Sequence, residues 1–579
     1  MTMDLLALAI VLAAIVVCVV PLGSYIARVF TGERVFLTRV VAPVERGWCR
    51  LLGTDPESGQ DWKAYAKSVV AFSVFSWLAL YLILRTQTIQ PWNPENFHSG
   101  TWDVSFNTAS SFVTNTNWQY YGGETTLTYF AQMAGLTVQN FVSAAVGIAV
   151  AIAVIRGLAN RSGKSYLGNF WVDLFRAVAY ILVPIAFVLA LILVSQGVLQ
   201  TLSGYVHLNG VAAGVKQTLA LGPVASQEAI KELGTNGGGF FNVNSAMPFE
   251  NSNGLTNALE IWLILVIPAA LTATYGRMVG SRRQGWAIFG AMSVLFLASV
   301  AVVFFAERHA TPAQQFAGIL HSSGNMEGKE VRFGTAGSAL WAAVTTVTSC
   351  GAVNAAFESL TALGGVSPFS GLSVSEVVFG GVGSGLYVML IFVILAVFIG
   401  GLMVGRTPEF LGKKIEAREM KLAILTVLVT PLVVLITAGA AVATKYGKPS
   451  VYASGPQGFS ETLYAYLSQA NNNGSAFAGY TGYYQPTPGN VGAHGITFAD
   501  LLGGLTMLGA RFLPMILVLA VAGSLATKRV VPAGAGTLRT DTPTFVFLLI
   551  AVVLLLGALT FFPAILLGPV VQALTNRLF

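Results

Sequence analysis

Charged side chains are scarce in this chain. Lys, Arg, Asp and Glu make up 10% of its 579 residues, whereas hydrophobic residues make up 54%. No water-soluble interior is large enough to hide that excess. No polar stretch long enough to form a soluble catalytic domain separates the hydrophobic runs. Cysteine is nearly absent: Cys18 and Cys49 are isolated and no C-x-x-C pair exists, so neither a disulfide framework nor a zinc site is indicated. Nucleotide-hydrolysing motifs are missing as well. There is no DKTG-like aspartate and no G-x-x-x-x-G-K-[ST]; the nearest approach, Gly157 to Ser165, has five residues between its glycines and lies in a short loop. The five histidines, His98, His207, His309, His321 and His494, show no metal-ligand spacing and read as surface residues of loops. The net charge of +7 does not point to nucleic acid, because the 32 Lys and Arg residues cluster in short loops between apolar runs.

What the chain does contain is ten apolar runs long enough to cross a hydrocarbon core of roughly 30 Å. They are Leu5 to Ile26, Ser68 to Leu84, Met133 to Ile155, Ala177 to Ser195, Leu259 to Met278, Trp286 to Phe305, Val377 to Val404, Leu422 to Val442, Leu502 to Ala522 and Thr544 to Leu567. The first follows Asp4 instead of basic residues and exceeds the apolar core of a signal peptide, so it reads as a retained span. One set of alternate loops carries 22 Lys and Arg; the other, with Arg577 at the end, carries nine, Lys231 among them. The basic set is expected on the cytoplasmic side, which places both termini outside.

The outward loops after Leu84, Ser195, Phe305 and Val442 are longer than a connection needs, and each holds a stretch too short to span. Trp102 to Val113, Ser226 to Leu233, Ser338 to Thr348 and Ser460 to Ala470 therefore read as re-entrant half-helices. Ser226 and Ser460, followed by Glu228 and Glu461, suit N-caps with acidic first turns. After each half-helix comes a small polar segment: TNTNWQ (Thr114 to Gln119), GTNGGGFFN (Gly234 to Asn242), TSCGAVN (Thr348 to Asn354) and NNNGSAFAG (Asn471 to Gly479). Aligning them makes Asn117, Gly237, Gly351 and Gly474 equivalent, at separations of 120, 114 and 123 residues. That near-constant period predicts four copies of one unit around one axis. The expected fold is an all-α polytopic membrane protein: a first helix and loop (1–60), four pseudo-symmetric pore-loop repeats (61–165, 166–281, 282–415 and 416–530) and a final helix (531–579).

These residue types suit a dehydrated cation. A monovalent ion leaves water only where oxygens replace its hydration shell, and backbone carbonyls do so without adding fixed charge. Turning successive carbonyls inward demands backbone angles that glycine adopts freely and asparagine tolerates. The half-helices would aim their negative C-terminal ends at the same point. Below it, Arg511 interrupts a span, where a lone charge costs at least ~2.5 kcal/mol and is usually functional. Its expected role is to repel cations and prevent free conduction. The long run from Val377 to Val404, with Gly380, Gly381, Gly383, Gly385, Gly400 and Gly401, can tilt, kink, break or pack closely against a neighbour.

The four polar segments, with GGVGSG at Gly380 to Gly385 and GGLMVGRTPEFLGKKIEAREMKLAILT from Gly400 onward, resemble the potassium-binding subunit family of the Kdp-type potassium-transporting ATPase, over essentially the whole chain. The resemblance implies four M1-P-M2 repeats of potassium-channel type, fused in one chain that binds extracytoplasmic potassium and passes it to a separate P-type ATPase subunit. Carried over, the filter comprises Thr114, Asn115, Thr116, Asn117 and Gln119; Thr235, Asn236, Gly237 and Asn244; Ser349, Cys350 and Gly351; and Asn472, Asn473 and Gly474. It further implies an interrupted helix in the third repeat that helps gate the path, with Gly380 and Gly381 as gating residues and Arg406 near its inner end; the sequence does not say which glycine pair marks the break. Potassium would be the substrate, with ATP and magnesium on the catalytic B subunit. The other implied partners are a single-span C subunit, a small F peptide and lipid, in a bacterial inner membrane. No repeat carries the full TVGYG of a simple potassium channel. An autonomous channel or symporter would share the repeats without the match around Gly234 to Ser245, and a membrane scaffold would have no use for four re-entrant polar segments.

Overall fold

The computed structural model describes residues 2–210, 214–318, 324–374, 377–403, 405–482, 493–532 and 537–575. Val404, His321 and Arg577 lie outside the described residues, as does the side chain of His494. Among the described residues, ten helices are long and apolar enough to cross a membrane, one on each expected run. Among the shorter helices between them, four end at the polar segments, and two small antiparallel hairpins, Val206–Asn209 with Lys216–Leu219 and Glu409–Phe410 with Lys413–Lys414, occupy loops.

In chain order the helices are α1 (Thr2–Thr31), α2 (Thr38–Leu51), α3 (Trp62–Arg85), α4 (Trp102–Val113), α5 (Ala131–Ala159), α6 (Phe170–Ser195), α7 (Val224–Leu233), α8 (Gly254–Met278) and α9 (Arg282–Ala306). There follow α10 (Gly334–Val347), α11 (Ala362–Ser373), α12 (Ser384–Met403), α13 (Ala417–Ala443), α14 (Gly455–Ala470), α15 (Ala493–Ala526) and α16 (Pro543–Leu574). Each of the short helices α4, α7, α10 and α14 packs against the long helix before it and the helix after it. Burial separates the long helices into two sets. The most apolar windows of α5, α8, α12 and α15 are 61–83% buried, whereas those of α3, α6, α9 and α13 are 28–39% buried. The next spanning helix after each polar segment is thus central and the spanning helix before it peripheral. With a window only 11% buried, α1 leans on α8 from outside.

One expectation needs correction, and the structure fills in two others. Ser226 and Ser460 are not N-caps: α7 starts after Pro223 and α14 after Ser454, and both serine hydroxyls donate back to carbonyls of their own helices, those of Pro223 and Pro456. Glu228 and Glu461 consequently fall outside the first turns. The run from Val377 to Val404 breaks, as its glycines allow: 377–383 is not helical, with left-handed angles at Phe379 (φ 57°), Gly380 (φ 62°) and Gly383 (φ 91°), and α12 begins only at Ser384. The basic loop from Arg28 to Lys67 contains the amphipathic α2, fixed by a Glu45–Arg176 ion pair of 2.8 Å and by the Trp48 indole donating to the Trp171 carbonyl.

One cap carries a direct prediction. The Asn253 side chain accepts from the backbone of Leu255 (2.9 Å) and Thr256 (3.2 Å), while Thr256 answers the Asn253 N–H, which starts α8 immediately after the second polar segment. Asn253→Ala should cost about 1 kcal/mol, read as a lowered thermal midpoint in detergent. An unchanged midpoint would show that packing alone starts α8.

Candidate functional site

The four polar segments meet at the C-terminal ends of the four short helices, whose last turns pass into Thr114, Gly234, Thr348 and Asn471. Their backbones repeat one local geometry. The N–H groups of Thr116, Asn236, Cys350 and Asn473 each donate five residues back, to the carbonyls of Ser111, Lys231, Thr345 and Ser468, at 2.8–2.9 Å. On either side of each donor the backbone is left-handed: Asn115 and Asn117 (φ 70° and 56°), Thr235 and Gly237 (48° and 84°), Ser349 and Gly351 (52° and 93°), Asn472 and Gly474 (50° and 102°). Non-glycine residues rarely take such angles, so their recurrence at matched positions reflects a demand of the site and not of local sequence.

Close packing joins the segments in a ring. A Cβ on Gly237 would collide with the Cys350 carbonyl, one on Gly351 with the Asn473 carbonyl, and one on Gly474 with the Thr116 carbonyl, each well inside the 3.0 Å that real Cβ atoms respect. Between the first and second segments the contacts are made by side chains. The Asn115 amide donates to the Thr235 carbonyl (2.9 Å), the Asn236 amide donates to Asn115 Oδ1 (2.6 Å), and Gln119 exchanges hydrogen bonds with the Gly239 backbone at 3.2 and 3.4 Å. The Asn472 amide donates to Thr116 Oγ1 at 2.9 Å, and the Asn473 amide to the Thr345 carbonyl at 2.8 Å. On one side of the ring opens a cavity of about 660 Å³, whose lining includes Asn117, Gly237, Gly351 and Gly474 together with Gln119 and Asn244.

On the opposite side lies a much smaller cavity lined by Asn471, Asn472, Thr426, Thr430, Tyr387 and Arg511. Arg511 is 4% exposed. The glycine segment between α11 and α12 crosses nearby: the Val382 N–H donates to Thr235 Oγ1 (2.9 Å), and Gly147 of α5 and Gly383 leave no room for a Cβ against each other's segment. The structure therefore brings the segment that follows Gly380 and Gly381 against the ring at Thr235, with Val382 and the Arg511 guanidinium both packed against Gly147. Arg406 it does not; that residue is exposed, beyond the end of α12.

Sequence reasoning missed the ion cluster behind the second segment. Lys231, counted above among outward-loop cations, is fully buried, with its ammonium 2.7 Å from both Glu228 and Glu250 and 3.7 Å from Glu232. The available signal was the spacing of Glu228, Lys231 and Glu232, which puts three charges on one face of a helix expected to enter the membrane. Gly147 was missed too, and nothing in its own apolar surroundings marks it. At the other end of the molecule, Lys413 is buried and donates to the Gly157 carbonyl (2.8 Å); loss of hydration lowers its pKa to about 8.

The architecture is that of a polytopic helical membrane protein with a central ring of polar backbone. In fold it is similar to the potassium transporter TrkH of Vibrio parahaemolyticus, with a TM-score of 0.51 at 14% identity over 90% of this chain and 98% of that one. The chain belongs to the family described as KdpA, potassium-transporting ATPase A subunit, whose model matches residues 9–574. Among similar proteins, the potassium-transporting ATPase potassium-binding subunit of Granulibacter bethesdensis is 53% identical over 96% of this chain and 95% of its own length. The protein of the same name from Methylorubrum extorquens is 55% identical over 97% and 95%.

Proposed function

We propose that this chain is the potassium-binding and translocating subunit of an ATP-driven uptake complex, with a selectivity filter of backbone carbonyls supplied by four pore-loop repeats (61–165, 166–281, 282–415 and 416–530) between a first (1–60) and a last (531–579) unit. The observation that carries the reading is the fourfold recurrence of paired left-handed residues in a ring at the floor of the 660 Å³ cavity. A backbone alternating between left- and right-handed residues turns successive carbonyls to one side, which is what replacing an ion's hydration shell requires. Thr114 to Asn117, Thr235 to Gly237, Ser349 to Gly351 and Asn472 to Gly474 line the path, with Gln119 and Asn244 at its outer edge. The negative ends of α4, α7, α10 and α14 favour a cation there.

The chain contributes no hydrolytic chemistry in this reading. ATP and magnesium are handled by a P-type catalytic B subunit, joined by a single-span C subunit and a small F peptide, in a bacterial inner membrane with both termini extracytoplasmic. The family name and the relatives' names support an ATPase complex, and the asymmetry of basic loops supports the orientation. The deciding experiment is potassium uptake in cells lacking their other uptake systems. Uptake that needs the partner subunits and ATP is expected; robust uptake by this chain alone would make it a channel or symporter.

Arg511 then serves as a positive barrier beneath the filter, its guanidinium near Gly147, against which Val382 also packs. Arg511→Gln should let potassium leak through the assembled complex, or raise the ATP hydrolysed per ion taken up, by about tenfold if ~1.4 kcal/mol of barrier is lost. Unchanged leak and unchanged coupling would remove Arg511 from the mechanism.

A further inference from the structure

The four matched segments differ in what braces them from behind. At the position five residues before each central N–H donor, three carry a hydroxyl (Ser111, Thr345 and Ser468) and the second carries Lys231. Thr345 Oγ1 accepts from the Gly351 N–H (2.8 Å) and Ser468 Oγ accepts from the Gly474 N–H (3.0 Å). The first segment does not use this brace, since Ser111 Oγ has no hydrogen-bond partner among the described residues and the Asn117 N–H returns to the Ser111 carbonyl (3.2 Å), and the second cannot have it, because a lysine cannot accept a hydrogen bond. It is held from the other side of the peptide group: the Lys231 ammonium donates to Asn244 Oδ1 (3.1 Å), and the Asn244 amide donates to the Gly237 carbonyl (2.6 Å). Asn244 Oδ1 also accepts from the Val353 N–H (3.3 Å), which ties in the third segment.

The ammonium is itself fixed in place. Glu228 and Glu250 bind it directly, Glu228 accepts from the Ser245 hydroxyl (2.7 Å), and Glu250 accepts from the Phe241 N–H (2.8 Å), so both ends of the second segment are tied to one charge. Glu232 accepts from the Cys350 thiol (3.4 Å), and the carboxylates of Glu228, Glu232 and Glu260 lie within 4.8 Å of one another. The ammonium holds Glu228, Glu250 and Asn244 by direct contact, and moving any of them away gives up a charge-assisted hydrogen bond in a fully buried place.

We propose that Lys231 is a positioning residue for the second filter segment: standing where the other segments carry a hydroxyl, it holds the Asn244 side chain, and through it the Gly237 carbonyl, and so sets which monovalent cation the site accepts. The inference rests on the filter reading above. It makes one quarter of the ring electrostatically different from the rest, with a carbonyl whose direction is set by a charge network and not by its own segment.

The test is potassium- and rubidium-stimulated ATP hydrolysis by the purified complex, with the thermal midpoint of each preparation recorded. Lys231→Met combined with Glu250→Gln removes one charge of each sign, which limits the damage to folding. This pair should raise the half-saturating potassium concentration about tenfold, the worth of one lost charge-assisted hydrogen bond, and bring the rubidium-to-potassium ratio close to one. Adding the pair to Asn244→Leu should shift the ratio no further, since Lys231 acts through Asn244. Lys231→Arg keeps the charge but not its point geometry and should move the ratio about threefold, so it carries the test if the paired variant does not assemble. A lowered midpoint with an unchanged ratio, or full additivity with Asn244→Leu, overturns the proposal. Gly351→Ala separates the two ideas. If that variant works normally, the filter reading and this inference both fall; if it is inactive while the Lys231 variants keep the parental ratio, only the inference falls.

Discussion

Gly351→Ala is expected to reduce potassium uptake by about a hundredfold or more, measured with the partner subunits in cells that have no other potassium uptake system. Two independent costs act on this position. Its φ of 93° is one that an L residue adopts only at about 1–2 kcal/mol. The new methyl would also occupy the place of the Asn473 carbonyl oxygen, and overpacking of this kind costs typically 1–3 kcal/mol. Together they reach about 2–5 kcal/mol, and 2.7 kcal/mol already corresponds to a hundredfold change. The protein escapes that cost only by moving the Gly351 or the Asn473 carbonyl, and those are the groups assigned to the ion. A thermal midpoint close to the parent's with uptake lost would place the effect in the ring. Full uptake would mean that the close approach of the third and fourth segments is irrelevant to transport. Gly237→Asp, which adds a charge beside the Cys350 carbonyl, should be at least as severe.

The second large effect is on stability and lies away from the ring. Arg156 of α5 and Asp173 of α6 form a two-armed pair at 2.6 and 2.9 Å, with the Asp173 side chain 1% and the Arg156 side chain 22% exposed. The Tyr65 hydroxyl of α3 shares its one proton between Asp173 (3.0 Å) and the Ala149 carbonyl of α5 (2.9 Å), while Arg156 also donates to the Phe30 carbonyl of α1 (2.9 Å). Four helices thus meet at one ion pair. Asp173→Ala leaves a largely buried guanidinium without its counter-charge, and breaking such a pair from one side costs about 3–5 kcal/mol. The partial exposure of Arg156 argues for the lower figure, about 3 kcal/mol, observed as a marked drop in the thermal midpoint in detergent. Asp173→Asn, which keeps an acceptor for Tyr65, should lose less. A change below about 0.5 kcal/mol, the range of an ordinary surface substitution, would show that the junction is held by apolar packing.

The contrast between these two positions shows what a reader of the sequence can and cannot see. Gly351 was legible because its neighbours repeat: TSCGAVN has counterparts at a near-constant spacing, and small polar residues between apolar runs have few uses in a membrane. The half-helices were legible for the same reason, and their ends at Val113, Leu233 and Ala470 fell where expected. Asp173 was not legible, because it stands in a short loop region between runs and its partners come from residues 17 and 108 positions away. Lys231, counted with the loop cations, is buried. Its flanking Glu228 and Glu232 were legible in the sequence, whereas Glu250 is delivered by the fold from beyond the polar segment.

The sequence by itself determined the solvent, the number of spans and the fourfold recurrence of the polar segments, since each follows from composition or period along the chain. It also carried the family, through motifs too long to be generic. Only the tertiary structure decided where the run from Val377 broke, which residues capped α7 and α14, and which charges lie buried behind the second segment. The physical reason is common to these cases. Caps, kinks and buried ion pairs depend on what another part of the chain offers within hydrogen-bonding distance, and the approach of Gly147 to Gly383, or of Glu250 to Lys231, exists only once the helices have packed.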